Sequence, residues 1–180
     1  MKKRHAYRRD SVGRSKRIAK MVFQPVMAIF LSMAAAQVPT PLPRLDARAA
    51  QAVVAGCAAH AAGRGQSHAI AVVDAGGRLI AALRMDGNGF GILDFAIAKA
   101  QAAAAWGFST AQMAEGARET PGFAAAPYVV TVAGGLPVFA ADGRERLGAV
   151  GVSGEAPADG AACAEAGIAA AGLRAGRAPG

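Results

Sequence analysis

From Ala69 to Met85 the chain reads AIAVVDAGGRLIAALRM, two short apolar runs hinged on Asp74-Ala75-Gly76-Gly77. Ile70, Val72 and Val73 are β-branched, stiff at χ1 and suited to a pleated surface. Gly76 and Gly77 accept the positive φ that a tight reversal between strands demands. The pattern predicts a β-hairpin. The same grammar returns at Tyr128–Ala140, with a reversal at Gly134-Gly135, and at Leu147–Gly154. Up to five short strands, with alanine-rich helical stretches before, between and after them, predict a small α+β domain built on one sheet.

The helical stretches have legible ends. Asp46 is placed to cap a helix running to about Ala62, on which Leu45, Ala49, Val53, Cys57 and Ala61 recur at spacing four. A second helix is predicted from about Ile92 to Trp106, with a stripe of Ile92, Phe95, Ala96, Lys99 and Ala103. Ser109-Thr110-Ala111-Gln112 has capping-box form and should start a shorter helix through Ala117. Pro157 suits the first turn of a last helix reaching Leu173, after which residues 174–180 are expected to fray.

Composition changes this picture in one respect. The hydrophobic fraction is 53%, but 48 of the 180 residues are alanine, which favours helix and buries little area. The core should therefore be thin and closely packed, and association with other subunits would help it. Charge must be divided before it is interpreted. Residues 1–36 hold nine of the 20 Lys+Arg and the single acid Asp10, whereas residues 37–180 hold 11 basic and 11 acidic residues. The domain beyond the leader thus has no electrostatic footprint for nucleic acid.

The leader itself has the form of a secretory signal: a basic segment to Lys20, an apolar run Val26–Met33, and Ala34-Ala35-Ala36 before the expected cut. Met21–Ala36 is interrupted by Gln24 and Pro25 and is shorter than the roughly 20 residues of a membrane span, so no stable anchor is expected. Residues 37–44, with Val38–Pro43 reading VPTPLP, form a proline-rich linker. The expected location is exported, either periplasmic or extracellular. Cys57 and Cys163 both lie in the exported part, where they either join or act as small buried hydrophobes.

Several motifs fall short of the chemistry they suggest. Gly87-Asn88-Gly89-Phe90-Gly91 has the wrong spacing for a dinucleotide fingerprint and follows a hairpin strand, so it reads as a turn. Gly151-Val152-Ser153-Gly154-Glu155 departs from a nucleophile elbow at Glu155. Cys57 and His60 are three apart on one helix and share a face, an arrangement open to a soft metal or a haem iron, and His68 is a comparable candidate. Lys99 is the only lysine among ten arginines after residue 36. On a largely apolar helix its ammonium either reaches a pocket rim or pairs with Asp74, Asp86 or Asp94.

Five blocks, in order, resemble the GlcG/HbpS-like family of haem-binding and haem-degrading-type domains. They are Ala71–Gly77, Arg84–Gly87, Ala96–Ala100, Gly134–Pro137 and Gly148–Gly154, within a domain spanning 45–173. The resemblance implies a profilin-like fold, a five-stranded antiparallel sheet with helices packed on its faces, and homo-oligomers of four or eight subunits. It also implies that the terminal helices lie side by side on one face, which would let Cys57 and Cys163 meet. Some relatives bind haem, and others belong to glycolate or diol metabolism. No invariant axial ligand comes with these blocks, so His60 and His68 are candidates on chemistry alone. Glu155 stands where the family commonly has glycine.

The resulting expectation is an exported haem- or tetrapyrrole-binding protein acting in uptake, storage or sensing. Arg84, Asp86 and Lys99 are the candidate ligand contacts. A second reading is a periplasmic accessory module holding a small organic acid through Arg84 and Lys99. No general acid–base pair is evident, so binding rather than catalysis is expected.

Overall fold

The computed structural model describes residues 44–179. The leader and most of the linker, with the expected cleavage at Ala36, lie outside the described residues.

Helix α1 (Ala47–Ala62) begins where the Asp46 carboxylate accepts the Ala49 N–H at 2.7 Å. Strands β1 (Ala69–Asp74) and β2 (Leu79–Arg84) form the first hairpin, whose turn is fixed by Asp74 accepting from the N–H groups of Gly76 and Arg78, both at 2.9 Å. Helix α2 (Phe90–Trp106) and helix α3 (Thr110–Glu119) follow, the latter with the full Ser109–Gln112 capping box. Strands β3 (Gly135–Phe139) and β4 (Arg146–Ser153) and helix α4 (Pro157–Ala170) complete the chain. The sheet has the order β2-β1-β4-β3, and all neighbours are antiparallel.

The fold is α+β as expected, but the sheet has four strands rather than five. Tyr128–Ala133 forms no strand. Tyr128 sits in the left-handed region at φ 59°, and only the Gly134 carbonyl joins the sheet, accepting the Val152 N–H at 2.9 Å. The outer side of β3 is also occupied. Phe139 and Arg174 exchange both backbone hydrogen bonds, and the Ala178 N–H donates to Gly143. Residues 174–178 therefore dock along the sheet instead of fraying. Pro137 fits this edge strand, because its missing N–H removes no ladder bond from a central strand.

Alternation in β1 sends its side chains to two different layers. Ile70 and Val72 join Val150, Val152 and Val138 beneath α1 and α4, in a core completed by Val53, Cys57, Cys163 and Ile168. Ala69, Ala71, Val73 and Ala149 face α2, which answers with Ala96, Ala100, Ala103 and Ala104. This second interface is nearly bare backbone on backbone. A methyl group on Gly151 would collide with the Ala96 carbonyl and stand 2.5 Å from the Ala100 nitrogen. One on Gly135 would stand 2.5 Å from the Lys99 carbonyl. The alanine excess is thus what allows a helix to lie almost directly on a sheet.

Candidate functional site

The candidate residues collect at one end of the sheet, where β1 begins and β2 and β4 finish. Ala69 pairs with Arg84 on one side and Ser153 on the other. A polar network closes this end. The Ser67 hydroxyl donates to the Asp86 carbonyl at 2.6 Å, and the Asn88 amide donates to the Ser67 hydroxyl at 2.8 Å. The Ser67 N–H donates to the Glu155 carboxylate at 3.0 Å, and the Arg84 guanidinium donates to the Asn88 carbonyl. Gly154 lets the chains cross here. It holds φ 127°, and any side chain would press on Asn88 and on the Ser67 carbonyl, 2.5 and 2.7 Å from its first carbon. Glu155 ties the exit of β4 to the entry of β1.

Lys99 lies on the α2 face of this end and is 2% exposed. Its ammonium donates to the Val152 carbonyl at 3.0 Å and stands 4.7 Å from the centre of the Phe95 ring. Asp74, Asp86 and Asp94 do not pair with it. Among the described residues the one ion pair is Arg118 with Glu115. Burial without a counter-charge lowers the Lys99 pKa to about 8. Lys99 thus lies inside, neither at a rim nor in an ion pair, because α2 approaches the sheet more closely than its pattern reveals.

Arg84 and Asp86 are exposed. Arg84 belongs to the edge strand, while Lys99 reaches β4, two strands across. Lys99 is committed to the Val152 carbonyl, and Arg84 to the Asn88 carbonyl.

The histidines occupy the opposite face. His68 has the parity of Ile70 and Val72, is fully buried, and has no hydrogen-bond partner on either ring nitrogen. Its pKa is lowered by burial first of all. The Ser153 backbone carbonyl, Glu155 and Asp159 favour the charged ring, and His60 opposes it. The Ser153 carbonyl exerts this pull without reaching hydrogen-bond geometry. His60, in the last turn of α1, directs Nδ1 toward Arg64 at 3.3 Å, while Nε2 is buried and unpartnered. Gln66 Oε1 is also buried and unpartnered, and the Gln66 N–H donates to Ala61 at the same helix end. Gln66, Asn88 and Asp159 were not legible as site residues, since nothing local distinguishes a turn amide or a first-turn acid from solvated ones.

Cys57 and Cys163 join α1 to α4 as a disulfide with Cα atoms 4.7 Å apart, so Cys57 is not available beside His60 as a thiolate ligand. The two helices touch closely because small residues face across them: a methyl group on Gly167 would meet the Val53 carbonyl.

This layered domain, with an enclosed histidine pair behind the sheet and a buried lysine in front, matches the family model described as haem degrading protein HbpS-like over residues 45–169. The chain belongs to that family. It is 30% identical to a double mutant of Streptomyces reticuli HbpS, with a TM-score of 0.66, covering 72% of this chain and 88% of that one. Two further solved structures share the fold. A PduOC–haem complex has 21% identity and a TM-score of 0.68, covering 75% of this chain and 100% of that one. The Klebsiella pneumoniae protein ORFY has 23% identity and a TM-score of 0.65, covering 73% and 95%. None of the curated proteins is similar enough to match.

Proposed function

We propose that this chain is an exported haem- or tetrapyrrole-binding protein acting in uptake, storage or sensing, and that it works as a homo-oligomer. The observation that carries the reading is membership of the HbpS-like haem-degrading family over residues 45–169, nearly the whole described domain. The open edge strand adds support. Leu79 and Leu83 are 51% and 37% exposed along β2, Arg84 ends the strand, and Phe90 lies two residues beyond the Asn88 carbonyl that Arg84 contacts. Exposed apolar side chains and a cation at the strand end supply the two kinds of contact a tetrapyrrole bearing carboxylates takes. Exposed leucines on an edge strand are also positions a second subunit would cover.

The histidines do not fit the role of axial ligand as they stand. Both nitrogens of His68 and Nε2 of His60 are enclosed, whereas a porphyrin needs a nitrogen at the wall of a slot. Export rests on the basic and apolar leader, and among the described residues no helix is long and apolar enough to cross a membrane.

Titration of the purified protein with haemin tests binding. A saturating Soret band is expected, weakened several-fold by Arg84→Ala, and a spectrum that merely sums protein and free haemin overturns the reading. N-terminal sequencing of the extracytoplasmic protein should begin at Gln37. An intact Met1 on membrane-bound protein would remove export from the proposal.

A further inference from the structure

We propose that the cleft between the β1–β2 turn, the C-terminal half of α2 and the turn at Tyr128 binds a small, flat, uncharged aromatic molecule carrying a hydrogen-bond donor. The cleft measures about 240 Å³ and is lined by Ala75, Gly76, Gly77, Gln101, Ala105 and Tyr128. It lies at the turn end of the first hairpin. The polar network of Ser67, Asn88 and Arg84 closes the other end of the same two strands.

The backbone at Tyr128 is the first sign of a site. The Val129 N–H donates to the Ala126 carbonyl at 3.2 Å, closing a four-residue turn with Pro127 second and Tyr128 third. Proline fixes its own φ at about −65°, and a positive φ at the next position is normally filled by glycine or asparagine. Tyr128 adopts φ 59° there, the one non-glycine residue with positive φ among the described residues. A bulky side chain persists in the left-handed region only where its surroundings hold it, and such positions gather at binding sites. Here the hold is visible. The Trp106 indole N–H donates to the Pro127 carbonyl at 3.1 Å, and the Trp106 ring meets Phe123 edge-on with centroids 5.1 Å apart. The last residue of α2 thus pins the peptide that precedes Tyr128. Core packing does not explain the conformation, because Tyr128 itself is 64% exposed.

The other walls choose the ligand. Gln101 and Ala105 are four apart on α2 and share a face. The Gln101 amide nitrogen donates to the Gly77 carbonyl at 3.2 Å, which fixes the amide and leaves its oxygen as an acceptor. The alanines and glycines of the lining bring little bulk, so a ring can approach the backbone of the hairpin turn. No lining side chain is charged, and the charged groups beside Gly76, Asp74 and Arg78, are opposite in sign. A net charge on the ligand therefore gains nothing. A ring gains a stack against the phenol, and a donor gains the Gln101 oxygen. The volume suits a single ring system and excludes a porphyrin, so the proposal does not rest on the haem reading.

Phenol is the probe, followed by two-dimensional NMR of the full chain labelled with nitrogen-15. Saturable shifts are expected at the Gly76 and Gly77 amides, the Gln101 side-chain amide and the indole of Trp106, the only tryptophan of the chain. Toluene, which has no donor, and benzoate, which is charged, should bind several-fold more weakly. Tyr128→Gly removes the stack while suiting the turn, so it should weaken phenol binding several-fold in a protein at least as stable as the parent. Ala105→Leu fills the cleft from an exposed helix position and should abolish the shifts even where Tyr128→Gly alters the turn. Absent shifts, or shifts untouched by Ala105→Leu, overturn the site. Toluene or benzoate binding as tightly as phenol overturns the ligand class. Haemin titration keeps the two proposals apart: a parent protein that binds phenol but gives no Soret band loses the haem reading alone.

Discussion

The two faces of the sheet are packed by opposite means. Under α1 and α4 the core is built from Val, Ile and Leu side chains that keep the layers apart, with the Cys57–Cys163 bond across the helices. Under α2 it is built from alanine, with glycine where backbone nearly meets backbone. The first face tolerates loss of volume poorly because it leaves a cavity, and the second tolerates gain poorly because nothing can move aside. Each face also holds one kind of anomalous polar group. Orphaned histidines lie beneath α1 and α4, and an ammonium without a counter-ion lies beneath α2.

The largest expected effect breaks the covalent link on the side-chain-rich face. Cys57 and Cys163 are 106 residues apart in sequence, and chain entropy puts such a closure at roughly 4–5 kcal/mol as an upper figure. Cys57→Ser with Cys163→Ser, or reduction, should lower the melting temperature by well over ten degrees. Intact mass with and without reductant tests the bond, and two free thiols in protein from the oxidising compartment would show that packing alone holds the helices.

Gly151→Ala sharpens the contrast. One added carbon between β4 and α2 should cost about 3 kcal/mol through overpacking, whereas Ile70→Val on the other face should cost about 1 kcal/mol. Chemical denaturation of both variants measures this, and equal costs would remove the distinction between the faces.

Lys99 predicts a signature in alkaline solution. Its folded pKa is about 8 against an ordinary 10.5, so between these values the unfolded chain binds more protons. The penalty is fully present below pH 8, and stability should rise as pH increases from about 8 toward 10.5. Melting curves of Lys99→Met should be flatter over that range. An unchanged slope would mean that the ammonium has a partner in solution.

His68 gives the smallest effect, on the acid side. Its folded pKa is depressed below 6.5, so the unfolded chain takes up the proton first and stability should fall as pH drops below about 6.5. His68→Gln should reduce that acid slope, as followed by thermal melts between pH 7 and 5.

The hairpin, the helix caps and the order of elements were legible in the chain because each depends on neighbours in sequence. Asp46 and Ser109 satisfy N–H groups three residues on, and the β-branched run before Gly76-Gly77 needs no distant partner to be extended. Tyr128–Ala133 was misread for the complementary reason. Its run of valines has strand propensity, but the outer edge of β3 is engaged by Arg174, and propensity cannot see an occupied edge. Ordering of the residues after 173 was invisible for the same cause.

The sequence by itself determined the class of fold, the family and the residues from which a site can be made, since spacing and side-chain chemistry are local properties. Only the tertiary structure decided which of them meet. It put His68 on the side of Ile70 and Val72, under α1 and α4, and Lys99 on the other, because α2, which carries Lys99, packs against Ala69 and Ala71. It left Lys99 without an acid and held Arg84 two strands away. It also buried His60 Nε2, Gln66 Oε1 and both ring nitrogens of His68, since burial and partnership belong to the packed chain and not to any single residue.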